Sequence, residues 1–311
     1  MAAGAVFMLK RVPFLLALSL LALGCDTLPL PGKQQASAGS GQPAAAALPP
    51  AVQEGKALMD KGQLDEALAK LAELPDDPIS LYYQGIIYVR KGMGAPLPET
   101  GFRPDDKNAA VLLERAIAAK PEFAAAHFTL AEVLAPYTLQ RHAPGKRRPP
   151  RQPSPAPDDP DISPERVARA YQAAVQYDKT SRAPIDALIK FAREMKRPDD
   201  ADMAYREVLQ RDKESAEPHL AYGDFLANEK KDRLKAIEQY QLALVWKPQD
   251  PTPQDRSCDV YIAWAQEHFD KSEWASADAR LKDAQKFVTG LATPQALRIK
   301  ELQGKLAAIR R

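Results

Sequence analysis

The sequence predicts an all-α fold, a solenoid of about six helix-turn-helix repeats closed by a terminal helix. Two observations predict it. A pattern of small and large residues recurs six times in order along residues 51–289. It is fullest in "DRLKAIEQYQLALVWKP", where Ala236, Tyr240, Ala243 and Pro248 hold its positions. The last segment, Pro294 to Arg311, then repeats Ala296, Ile299, Leu302, Leu306 and Ile309 at helical spacing and leaves a polar opposite face. Thr293 is placed as its N-cap, Pro294 at its first position and Arg310-Arg311 at its negative end.

From the N-terminus, the first element is an export signal. Lys10 and Arg11 form a basic stretch, and Val12 to Leu23 form an apolar run too short for a membrane span, which needs ~20 residues. Ala22-Leu23-Gly24-Cys25 resembles the bacterial lipobox, with Ala22 where that family favours leucine. The resemblance implies that residues 1–24 are a signal peptide, cut off before Cys25, and that the Cys25 thiol carries the lipid holding the chain to a membrane. Asp26 resembles the inner-membrane retention signal of enteric bacteria, a rule that varies between lineages, so the choice of membrane stays open. Residues 25–50, rich in Pro, Ala, Gly, Ser and Gln, cannot bury a core and read as a disordered tether. Its reach is roughly 25–30 Å.

The repeats follow. The second-helix pattern reads Ala67/Leu71, Ala109/Leu113/Ala116/Pro121, Val167/Tyr171/Ala174, Ala201/Tyr205/Val208, Ala236/Tyr240/Ala243 and Ala277/Leu281/Ala284. First helices match through Gly55/Leu58, Gly85/Tyr88, Leu130/Ala131/Leu134, Leu188/Ala192, Gly223/Leu226 and Ala265/His268. These residues resemble the tetratricopeptide repeat, whose period is about 34 residues. The resemblance implies a right-handed superhelix with residues 290–311 as its capping segment. Two insertions break the spacing, residues 91–106 in repeat two and 136–162 in repeat three. Both fall between first and second helix, so they should emerge side by side on one edge. The second carries Lys146, Arg147, Arg148 and Arg151, and its prolines should stop the flanking helices.

Composition narrows the function. The formal charge is +2, and removing Lys10 and Arg11 leaves zero, which argues against nucleic acid as a partner. With Cys25 lipidated, Cys258 has no partner in the chain and reads as a buried, inert thiol. His127, His219 and His268 fall on positions of large seam residues, and Trp246, Trp264 and Trp274 read as seam packing. No phosphate-cradling loop, paired-histidine metal motif or serine elbow is present, so no catalytic residue, metal or cofactor is expected.

What the family resemblance implies is a concave groove, lined by first helices, that holds a peptide or helix of another protein. Counted along each repeat, its residues are Tyr82, Ile86 and Arg90, then Phe128 and Glu132, then Asp186, Lys190 and Arg193. Leu220, Asp224 and Asn228 follow in repeat five, and Ile262, Gln266, Phe269 and Asp270 in repeat six. Apolar anchors in a charged surround suit a peptide or amphipathic helix. Basic residues with asparagine do not recur across repeats, so a clamp for chain-end carboxylates is not expected. The expected role is a lipid-anchored adaptor for protein assembly in the bacterial cell envelope. A pilotin-like factor for secretins and pili, or an accessory of a cell-wall enzyme, are the alternatives.

Overall fold

The helices begin where the sequence supplies a proline or a capping oxygen. The computed structural model describes residues 48–142, 144 and 160–309. The signal peptide, Cys25, nearly all of the tether, Lys146 to Arg151 and Arg310-Arg311 lie outside the described residues. Proline is the first residue of α1 (Pro50–Asp60), α3 (Pro78–Gly92), α4 (Pro104–Ala119), α6 (Pro164–Tyr177), α8 (Pro198–Arg211) and α13 (Pro294–Ile309). Its missing N–H is no loss there, because first-turn donors have no helical partner. Caps take up other donors: the Asp77 carboxylate accepts from Ser80 N at 2.7 Å, and Thr293 Oγ1 accepts from Ala296 N at 3.2 Å. The remaining helices are α2 (Leu64–Leu71), α5 (Ala124–His142), α7 (Ala183–Glu194), α9 (Ala216–Phe225), α10 (Arg233–Trp246), α11 (Thr252–Asp270) and α12 (Trp274–Gln285). A π-helical turn, Leu226–Lys230, extends α9.

Each odd-numbered helix packs on the even-numbered helix after it, from α1 on α2 to α11 on α12. Each pair leans on the next through α2–α3, α4–α5, α6–α7, α8–α9 and α10–α11. This is the paired-helix architecture that the tetratricopeptide resemblance implies, and the small residues explain how it closes. A Cβ on Gly55 would lie 2.6 Å from Leu71 Cγ, one on Gly85 2.9 Å from Leu113 Cγ, and one on Gly223 2.5 Å from the Tyr240 ring. Only glycine admits these crossings. Every residue of the second-helix pattern from Ala67 to Ala284, the two turn prolines aside, is buried. At the C-terminal end, Ile299, Leu302 and Leu306 of α13 cover Cys258, Ile262, Leu281 and Ala284. Burying three such side chains contributes about 1.5–3 kcal/mol each. Ile309, expected on that same face, is instead exposed near the chain end. Among the described residues, no helix is long and apolar enough to cross a membrane.

The insertions depart from expectation. The first is the shorter connection 93–103. The second does not begin at Pro136, because α5 runs through that proline to His142. Pro136 removes one helical hydrogen bond, yet the turn that follows is held from outside. Tyr137 and Thr138 are buried, and Tyr137 Oη donates to the Asp106 carboxylate and accepts from Arg103 N at 3.2 Å. Thr138 Oγ1 donates to Ile162 O at 2.9 Å, Gln140 Nε2 to Pro98 O at 3.0 Å and Arg141 Nη2 to Gly101 O at 3.2 Å. The extra turn of α5, the start of the second insertion, is therefore clasped by the first connection.

Candidate functional site

Burial sorts the residues expected to line the groove. Glu132, Asp186, Lys190, Arg193, Asn228 and Asp270 are exposed, while Ile86, Arg90, Phe128, Leu220, Asp224, Gln266 and Phe269 are half-buried. Tyr82 and Ile262 are not groove residues. Tyr82 is 6% exposed because its ring packs on Phe123, 4.9 Å between centroids, in the seam between repeats two and three. Ile262 turns into the core beneath α13. Phe269 meets Trp274 edge-on at 5.1 Å, and Arg90 reaches back to donate to Met59 O at 3.1 Å. The exposed part of the surface is thus more charged than expected, and its aromatic anchors are drawn into the seams.

Three of these residues share a construction that sequence reasoning missed. Glu132, Arg193 and Asp224 each directly follow the small crossing residue of their first helix: Ala131, Ala192 and Gly223. In each repeat the second helix carries a tyrosine in its pattern, and the hydroxyl reaches that charged group. Tyr171 Oη donates to Glu132 Oε1 at 2.6 Å and Tyr240 Oη to Asp224 Oδ1 at 2.9 Å. Arg193 hydrogen-bonds the Tyr205 hydroxyl. Repeats one, two and six have Leu71, Leu113 and Leu281 instead, with Lys56, Ile86 and Gln266 opposite. The signal was present along the chain: each of the three tyrosines of the second-helix pattern has a charged residue of this row in the first helix of its repeat, although Lys56 of repeat one has Leu71. Burial first, and then the Glu132 and Glu194 carboxylates, hold the Tyr171 phenol well above its ordinary range.

The row is stitched across repeats. Arg193 Nε donates to Glu229 Oε1 at 2.7 Å, joining α7 to the π-helical turn after α9, and Asp224 pairs with Arg256 of α11. Between repeats four and five a cavity of about 490 Å3 opens, lined by Asp186, Ile189, Lys190, Arg193, Glu194 and Glu229. Three expected groove residues therefore come together with two carboxylates and an aliphatic floor. Such a surface can hold a polypeptide by paired charges and one apolar contact.

The other candidates resolve as packing or surface. His127 Nε2 is 2.8 Å from Pro121 O, and His219 Nδ1 is 2.9 Å from Gln239 Oε1. The Cys258 thiol is fully buried, donates to Ala284 O at 3.4 Å, and is pushed up to about 12 by burial and then by Asp259 and Asp255. Trp264 stacks on Tyr261 and lies under Arg280. Trp246 is not a seam residue: it sits at the end of α10, 43% exposed, with Leu242 and Val245 exposed beside it. This outer second-helix face is an apolar exposure the sequence pattern did not reveal.

No family model matches the chain, and no curated protein matches it. Several solved structures are similar to it. The crystal structure of MamA is 15% identical and aligns over 63% of this chain and 95% of its own, with a TM-score of 0.40. The pilF structure from Pseudomonas aeruginosa is 13% identical over 82% of this chain and 96% of its own, with a TM-score of 0.38. YrrB, described as a TPR protein with an unusual peptide-binding site, is 12% identical over 76% of this chain and 97% of its own, at 0.39. Likeness at this level carries no argument about the site, and the fold rests on the helix pairs themselves.

Proposed function

We propose that this chain is a lipid-anchored adaptor of the bacterial cell envelope whose first-helix groove holds segments of other proteins. The observation that carries the reading is the tyrosine-braced row Glu132, Arg193 and Asp224, beside the cavity at Asp186, Lys190 and Arg193. Charged groups fixed from below by buried hydroxyls present a preformed surface, which lowers the cost of ordering on binding. The anchor rests on Lys10, Arg11, the short apolar run and Cys25. Lipid at Cys25 and the tether of residues 25–50 give a groove presented near a membrane. The reading assigns the chain no reaction of its own. Pilotin-like assembly and service to a cell-wall enzyme are narrower forms of it, separated by whether a secretin or a peptidoglycan enzyme is captured.

Two measurements test it. Cys25→Ala should abolish acyl labelling and release the protein from membranes; a variant that stays acylated would refute the anchor. A photo-crosslinking residue at Lys190 should capture a partner in cells, while one at Gln241 on α10 should not. Capture at Gln241 alone would move the site to the exposed apolar face of α10.

A further inference from the structure

Several charges of the groove already have partners within the chain. Arg193 is held by Glu229, Asp224 by Arg256, and Asp186 by Arg182 at 2.9 Å, while Asp270 accepts from Gln266 at 2.7 Å. Near the cavity, three charged groups of the same surface make no ion pair among the described residues: Glu132, Lys190 and Glu194. All three are exposed. Lys190 and Glu194 stand one helical turn apart on α7 and line the cavity. Glu132 comes from α5, and the Tyr171 hydroxyl, which donates to it, also senses the Glu194 carboxylate. The half-buried Phe128 ring lies 6.2 Å from the Tyr171 ring beside this group.

We propose that the groove's occupant is a protein segment that places a lysine or arginine between Glu132 and Glu194 and an aspartate or glutamate on Lys190. Lys190 and Glu194 are i and i+4 on α7, about 6 Å apart, so the two ligand side chains need a comparable separation, such as one turn of a helix face provides. This rests on the groove reading above and adds the chemistry of its partner. Two carboxylates from adjacent repeats outweigh the single ammonium, so a lone acidic peptide or a polyanion is repelled. A purely apolar helix is disfavoured too, since Tyr82 and Ile262 are covered and the apolar residues left beside these charges, Ile189 and Phe128, are themselves half-buried. The aromatic face suits the aliphatic stem of a basic side chain, or a guanidinium laid on the ring. When the site is empty the three charges are solvated, and a ligand that excludes water strengthens their pairing.

The test pans a random peptide display library on the purified full chain in detergent micelles. Enriched peptides should share a basic residue with an acidic residue at a fixed offset. One such peptide, labelled and titrated by fluorescence anisotropy, should bind Glu132→Gln with Glu194→Gln about tenfold more weakly. Glutamine can still accept from Tyr171, so the melting temperature should hold. Lys190→Glu should also weaken it, and a peptide with its acid changed to lysine should restore binding to that variant. Enriched peptides without a basic residue, or affinity indifferent to both variants, would overturn the proposal. Ile189→Trp, which adds bulk to the cavity lining, separates this failure from that of the groove itself; Glu229→Trp, an exposed lining residue, replaces it if the fold is lost. Charge-indifferent peptides blocked by tryptophan refute the charge pattern and leave the groove. Peptides that ignore the tryptophan, or no enrichment on the unaltered chain, refute both.

Discussion

Tyr171, Tyr205 and Tyr240 occupy the second-helix position that Leu71, Leu113 and Leu281 fill in the outer repeats, so three buried hydroxyls each need a polar partner and find one in the groove row. Replacing Tyr240 by phenylalanine keeps the ring against Gly223 and removes the bond to Asp224. It should cost about 1–2 kcal/mol in urea unfolding at neutral pH. The phenol is pushed up to about 12, by burial and then by Asp259. The folded chain therefore keeps this proton to higher pH than the unfolded chain, and the associated stability is full below about pH 10. It is lost as pH rises toward about 12. Stability measured across that range should fall less steeply in Tyr240→Phe; an identical slope would show that the tyrosine titrates as if exposed. Tyr82 teaches the opposite lesson. Expected in the groove, it is buried in a seam instead, and Tyr82→Ala should lower stability by about 3–5 kcal/mol, as removal of a buried aromatic does. The sequence pattern located the crossing residues because close helix approach admits only small side chains there. It could not tell groove from seam, because neighbouring positions on a helix differ by one step around its axis, and Phe123 claims the step that holds Tyr82.

At the scale of elements, α5 shows how tertiary contacts override a local rule. Pro136 should end the helix, yet seven residues from Pro136 to His142 continue it, fastened by Tyr137 to Asp106 and Arg103. Tyr137→Phe should leave the Arg103 amide without its acceptor. Hydrogen exchange at that amide should then accelerate well beyond the change at Leu113, which lies in the core of the same repeat. Equal acceleration at both would mean that the clasp is part of the repeat core rather than an attachment to it. No spacing in the sequence announces this clasp, because its partners lie more than thirty residues apart and meet only once both insertions fold back. The second helices were legible for the converse reason, since their partners are the nearest helices in the chain.

For the whole molecule, repeats that touch only their neighbours should lose structure locally before they lose it together. Ala109 and Ala236 are both fully buried at helix crossings. Ala109→Glu and Ala236→Glu should each cost on the order of 2–4 kcal/mol through overpacking and an unpaired charge. Exchange should rise first in the repeat that carries the change, and a melt unaltered by both would displace the repeat assignment. One contact has a practical reach of its own. The Thr138 hydroxyl on the Ile162 carbonyl pins the departure and return of the long connection to one spot on the edge of the array. Chain added between two points already held together adds only slowly to the closing entropy, about 0.6 kcal/mol for each doubling of length. The array therefore offers a port between His142 and Ile162 where a whole reporter domain with adjacent termini could be spliced in, leaving the stack of helices to fold around an unchanged doorway.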